Sequence, residues 1–447
     1  MEYAYVGIIL YLCIENKKPM KRHILLLIAL LIAATTTRSQ VRFEDYFEDQ
    51  TLRLDYTLSG NHSEQVISLA GMKQTPGWYG RRVNLSKLAL EGNGQLFVTD
   101  TLGRDTLYCQ SFSTLFQEWQ TYEEATQLWR SFEHTMLIPM PKQDVDVTLR
   151  LTDTHRRERA RLTHRVRTSD ILVERLGSKG IEPWRYVRRG SFQGHCINVA
   201  IVAEGYTEEE MDTFLSDCQA TIDALQAREP FKSELERFNF IAVCAPSEES
   251  GVSIPHKGLW LRTALGSHFD TFYTARYLTT LRIWQLHNMM AGIPYEHIII
   301  LANTDMYGGG GIYNNFVLSA AHNESANPVV VHEFGHSFGG LADEYFYDDA
   351  FETSYPDDTE PWEPNITTLV DFNSKWKDML KRKTPIPTKP DRKDVYTKVG
   401  VYEGAGYQSK GVYRPVQECC MKVNQAPGFC PVCERAIRRI IRYHTEE

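Results

Sequence analysis

An all-β sandwich followed by an α/β domain is the architecture the sequence predicts, and three observations carry that prediction. The chain has 447 residues, more than one ordinary core accommodates, so two domains are expected. From residue 41 to about 180 apolar and polar residues alternate in short runs separated by turn signals. From Cys196 onward the pattern changes to apolar strands alternating with amphipathic helices, the signature of a largely parallel sheet flanked by helices.

The elements follow in order. Residues 1–40 read as a leader: Met20-Lys21-Arg22-His23, an apolar run from Ile24 to Ala34, and a polar end at Thr35–Gln40. A basic start and an apolar middle too short for a permanent span describe a cleaved secretory signal, with Met20 as the expected true start. Export without an integral membrane anchor is therefore expected. In the sandwich, assigned to 41–185, Leu52, Leu54, Tyr56 and Leu58 face one side, as do Val145, Val147, Leu149 and Leu151, with a helical stretch near Thr121–Phe132. The Arg156–Arg161 segment is basic and reads as a solvated strand or connector. With a net charge of −8 and no long basic run interleaved with aromatics, nucleic acid is not an expected partner.

The second domain, assigned to 186–447, opens with a buried strand at Ile197–Ala203. Thr207 with Glu210 forms a capping-box pattern ahead of a helix whose inner face carries Met211, Phe214, Cys218, Ile222 and Leu225. A strand at Phe238–Cys244, a long helix near Thr274–Met290 and a strand at His297–Ala302 follow, and Tyr347–Pro390 reads as surface loops around one short helix.

The chemistry concentrates in Val329–Gly340. His332 and His336, four residues apart on a helix, present both imidazoles to one ion, and zinc accepts neutral imidazole nitrogen readily. Glu333 stands beside the first histidine, where a general base for a metal-activated water belongs. A catalytic zinc takes three protein ligands. In metzincins a histidine six residues after the second ligand completes the set, but Ala342 occupies that position here. Asp343 is the expected third ligand, with Glu344 as the alternative and His322 next in line.

The run His332-Glu333-Phe334-Gly335-His336-Ser337-Phe338-Gly339-Gly340-Leu341-Ala342-Asp343-Glu344-Tyr345 resembles the signature of the IgA-specific metallopeptidase family, metzincin-related zinc endopeptidases of gut bacteria. The resemblance extends to Glu204-Gly205-Tyr206-Thr207, to Gly308–Ile312, and to Glu418-Cys419-Cys420-Met421 with Phe429-Cys430-Pro431-Val432-Cys433, covering about residues 195–440. It implies a metzincin-like zinc peptidase domain with Met421 as an apolar floor beneath the histidines. It also implies an antiparallel edge strand at Gly311, Ile312 and Tyr313 on which a peptide substrate pairs. Tyr413 is a candidate donor to the oxyanion. Cys419, Cys420, Cys430 and Cys433 read as a bridge pinning the Met421 turn to a C-terminal helix at about Glu434–Tyr443, or as a second zinc site.

The expected function is thus an exported zinc endopeptidase acting on protein or peptide. A binding or adhesion protein with an inactive site, and a zinc hydrolase of cell-wall peptides, are the alternatives.

Overall fold

The computed structural model describes residues 41–177, 181–347 and 355–446. The leader lies outside the described residues. Among those described, no helix is long and apolar enough to cross a membrane.

Residues Arg42–Glu447 form one compact unit built on four sheets. The first eight strands make the sandwich. They are β1 (Phe47–Gly60), β2 (Gln65–Pro76), β3 (Gly94–Asp100), β4 (Thr106–Phe112), β5 (Arg130–Pro141), β6 (Val145–Thr152), β7 (Glu158–Val166) and β8 (Glu174–Arg175). They form two four-stranded sheets, ordered β5-β1-β2-β8 and β4-β3-β6-β7. Strand β6 buries its odd-numbered side chains, as its alternation predicts. Strand β1 departs from simple alternation, because Arg53 and Asp55 are buried too. They pair at 2.7 Å, and Arg53 reaches across to Asn288 Oδ1 and the Trp284 carbonyl, tying the sandwich to the following domain. The expected helix near Thr121–Phe132 is instead two short turns, Leu115–Trp119 and Glu124–Gln127, before β5 begins. Neither is long enough to be stable without the packing around Trp119.

The second domain is built on a six-stranded sheet. Its strands are β9 (Trp184–Arg188), β10 (Ile197–Glu204), β11 (Phe238–Val243), β12 (His297–Ala302), β13 (Gly309–Gly311) and β14 (Val317–Ala320), ordered β13-β14-β12-β10-β11-β9. The four central strands are parallel, and β9 and β13 close the edges antiparallel. Every residue of β10 and β12 is buried, as expected for strands covered on both faces. Thr207 and Glu210 form the capping box ahead of the helix Met211–Gln226, which buries Phe214, Cys218, Ile222 and Leu225. The expected long helix near Thr274–Met290 is only Ile283–Met289: Thr274 is extended, and Arg282, at φ −90° and ψ 60°, is outside helical backbone just before it. A small sheet of β15 (Phe346–Tyr347), β16 (Tyr402–Ala405) and β17 (Tyr407–Arg414), ordered β15-β17-β16, lies beyond the histidine helix, and the C-terminal helix runs Pro431–Thr445.

Candidate active site

The histidines sit on the helix Ala326–Ser337, whose buried Val330, Val331 and Phe334 share the core of the central sheet. After Ser337 the chain turns back. Gly335 O accepts from the amides of both Gly339 and Leu341, and Gly340 takes φ +59°. Gly340 is therefore the residue that needs left-handed freedom. An extended segment follows, held on three sides: Glu344 N donates to Met421 O, Gly406 N to Asp343 O, and Tyr407 N to Tyr345 O. Asn365 grips it from a fourth, exchanging hydrogen bonds with the Ala342 backbone at 2.8 and 2.9 Å. Because the segment is extended, neighbouring side chains diverge. Asp343 turns to the histidines and Glu344 to the cysteines.

Asp343 Oδ1 lies 3.0 Å from His332 Nε2 and 3.2 Å from His336 Nε2, and the two Nε2 atoms are 3.0 Å apart. Each ring spends its other nitrogen on a carbonyl: His332 Nδ1 donates to Cys420 O at 2.9 Å and His336 Nδ1 to Leu341 O at 2.6 Å. That arrangement fixes the tautomer and leaves both Nε2 lone pairs pointing at each other and at Asp343. Asp343 Oδ1, buried, is then an acceptor without a donor. Three converging acceptors need positive charge between them, and edges near 3 Å match the roughly 3.3 Å of a tetrahedral zinc with ligands at about 2.0 Å.

The electrostatics agree. Burial raises the Asp343 carboxyl, but the two imidazoles outweigh it and hold the group well below the usual carboxylate range. Burial opposes charge on His336, yet Asp343 lifts it to about 9. The site thus favours positive charge, whether a proton or an ion supplies it. Burial raises the Glu333 carboxyl, the direction that suits a base working near neutrality.

Around this centre, Met421 lies under the helix between the histidines. A Cβ on Gly335 would meet its sulfur at 2.7 Å. Strand β13 crosses the other side, where a Cβ on Gly311 would fall 2.2 Å from Glu333 O. Among the substrate-edge residues expected from the sequence, Gly311 is beside Glu333, but Ile312 and Tyr313 are not on that edge. Both are buried, with the Tyr313 ring tilted against Trp362 and its carbonyl accepting from Ser113 N of the sandwich. Tyr413 is not brought to the histidines: its backbone pairs with Thr367 and its phenol lies near Glu403 and Lys410. The phenol that reaches the site is Tyr407, donating to Asp343 Oδ2 at 2.5 Å. His322 is bonded to Asp217 instead. Among the described residues the cysteines are free thiols, and the expected bridge is not formed in this structure; Cys419 and Cys433 Sγ stand 3.9 Å apart, far beyond a bond.

A profile of the family described as IgA Peptidase M64 matches residues 188–399 and 391–441, more than half of the chain, and one described as Peptidase M64 N-terminus matches residues 42–163. The chain belongs to the IgA peptidase M64 family. A search of curated proteins finds no match. Membership makes this chain a peptidase, and the two profiles divide it much as the sheets do.

Three residues of this M64 peptidase had no signal in sequence. Tyr407, at the start of β17, and Asn365, from a loop, are distant in sequence and have no motif spacing. Glu118 comes from the sandwich: it accepts from Tyr277 at 2.7 Å, and burial pushes it up to about 7, with Glu333 among the charges that reach it.

Proposed function

We propose that this chain is an exported zinc endopeptidase of metzincin type, in which His332, His336 and Asp343 hold the ion and Glu333 is the general base. The observation that carries the reading is the orphaned Oδ1 of Asp343 facing two Nε2 lone pairs. A bound zinc would supply Lewis acidity, bringing the pKa of an attacking water to about 7 and polarising the scissile carbonyl. Glu333 takes the proton from that water onto its carboxylate and delivers it to the departing amide nitrogen. Tyr407 holds Asp343 Oδ2 so that Oδ1 faces the histidines. Cys420 O and Leu341 O fix the imidazole tautomers. Met421 fills the space beneath with a soft apolar side chain. Strand β13, at the sheet edge beside Glu333, gives an extended peptide a backbone to pair with. The basic-then-apolar leader supports export.

The test is cleavage profiling of residues 41–447 against a diverse peptide library, with a chelator control and Glu333→Gln beside the wild type. Metal-dependent cleavage that the variant loses by about a thousandfold or more supports the reading. Cleavage indifferent to both would remove it.

A further inference from the structure

We propose a second zinc site, structural rather than catalytic, formed by the thiolates of Cys419, Cys430 and Cys433 with the carboxylate of Glu344. The four ligand atoms lie within 4.8 Å of one another, in the buried interior behind the histidines. Cys419 and Cys433 Sγ are 3.9 Å apart, and a tetrahedral zinc with sulfurs at about 2.3 Å sets S···S near 3.8 Å. Glu344 Oε1 is 3.2 Å from Cys433 Sγ and accepts from Asn365 Nδ2 at 3.0 Å. Its other oxygen, Oε2, is a buried acceptor with no partner, on a fully buried residue.

The surroundings suit thiolates. Cys430 caps the N-terminus of the fifteen-residue helix Pro431–Thr445, and its sulfur accepts from Cys433 N at 3.5 Å. Cys419 Sγ accepts from Cys430 N at 3.3 Å. Amide hydrogens and a helix N-terminus both stabilise sulfur-centred negative charge. The buried Arg414 guanidinium is near enough to Glu344 to offset part of the ligand charge. Binding releases the thiol protons to solvent and forms three S–Zn bonds and one O–Zn bond, with no change of oxidation state. Cys420 stays outside the set, with its carbonyl on His332.

The site would join three segments that otherwise meet by packing and a few hydrogen bonds: the return segment after Asp343, the Met421 turn and the C-terminal helix. Asp343 is then one residue, and the floor residue Met421 two residues, from a structural anchor. The ion would do what a disulfide here cannot, since it also fixes Glu344 and hence the direction of Asp343.

The test is metal content of the chain purified under reducing conditions, followed by cobalt substitution. The expected content is about two zinc ions per chain, falling to about one in His336→Ala and to about one in Cys433→Ala. The Co2+ protein should show a near-ultraviolet thiolate-to-cobalt charge-transfer band, kept in His336→Ala and lost in Cys433→Ala. Should Cys433→Ala not fold, the band in the unsubstituted chain decides alone, because histidine and carboxylate ligands do not produce it. Absence of the band, or a Cys419–Cys433 or Cys419–Cys430 disulfide in the purified protein, overturns the proposal. A band present while the histidines bind nothing would support this site and remove the catalytic reading, so the two fail separately.

Discussion

Asp343 and Glu344 are adjacent, both buried and both acidic, yet they face different sets of partners, and that divergence is the most informative feature at the residue scale. Removing Asp343 takes away the one carboxylate oxygen facing both imidazoles. Asp343→Ala should therefore abolish zinc binding at the histidines as fully as His332→Ala or His336→Ala, measured as zinc affinity against a competing chelator. Glu344→Ala should leave that affinity within about tenfold, the scale of an outer-shell effect. Equal loss in both variants would show that Glu344 is a catalytic ligand. Tyr407→Phe keeps the ring and deletes only the hydrogen bond to Asp343 Oδ2, so it should weaken zinc about 10–100-fold without a change in fold. An unchanged affinity would mean that Asn365 and the backbone already hold Asp343 in place.

At the scale of elements, the site depends on how closely β13 and the histidine helix approach. Gly311 has no room for a side chain, because an added Cβ would sit 2.2 Å from the Glu333 carbonyl, and backbone cannot swing aside as a side-chain tip does. Gly311→Ala should push β13 off the helix, lower activity steeply and cost about 1–3 kcal/mol of stability, the usual cost of overpacking. A Gly311→Ala enzyme with normal turnover and unfolding midpoint would show that β13 moves freely. The same elements mark how far the sequence was legible. The four-residue histidine spacing is a local property of a helix, and the parallel strands announced themselves as continuous apolar runs, so both were readable. Asp343 was readable as well, because the missing histidine at Ala342 left a carboxylate next in line. Tyr407, Asn365 and Glu118 were not, since tertiary packing brings each to the neighbourhood of the centre, from β17, from a separate loop and from the sandwich. Tyr413 was the wrong tyrosine for a related reason: sequence distance from Met421 says little about position along β17, where the register shifts against β16 between Glu403 and Ala405. The long helix expected near Thr274–Met290 had apolar content enough, but Thr274 is extended and Arg282 non-helical, so only the Ile283–Met289 end of it forms.

For the molecule as a whole, the C-terminal helix is the part that closes the fold, and it is clasped by a buried carboxylate outside the histidine centre. Glu296 bonds His195 Nε2 at 2.9 Å and His444 Nδ1 at 3.2 Å, and accepts from Asn198 N at 3.0 Å. Burial works against the Glu296 charge, but the two histidines outweigh it and hold the carboxyl well below its ordinary range. Burial likewise opposes charge on His195, and Glu296 outweighs it and raises that imidazole. Burial lowers His444 despite the same carboxylate, so His195 is the partner that carries the proton. The sign follows from these directions. A raised His195 contributes stability that is fully present below about pH 6.5, its unfolded value, and is lost as pH climbs through the folded value. The depressed Glu296 contributes stability above about pH 4.3 that is lost only in stronger acid. The ion pair is therefore at full strength between about pH 5 and 6.5 and fades above it. Glu296→Gln should lower stability by about 3 kcal/mol near pH 6, as breaking a buried pair does, and by less toward pH 9, as His195 gives up its proton. Urea unfolding of the wild type and the variant at the two pH values measures the gap. A difference that stays constant or widens toward pH 9 would mean that Glu296 acts through its bond to Asn198 and not through the charge on His195.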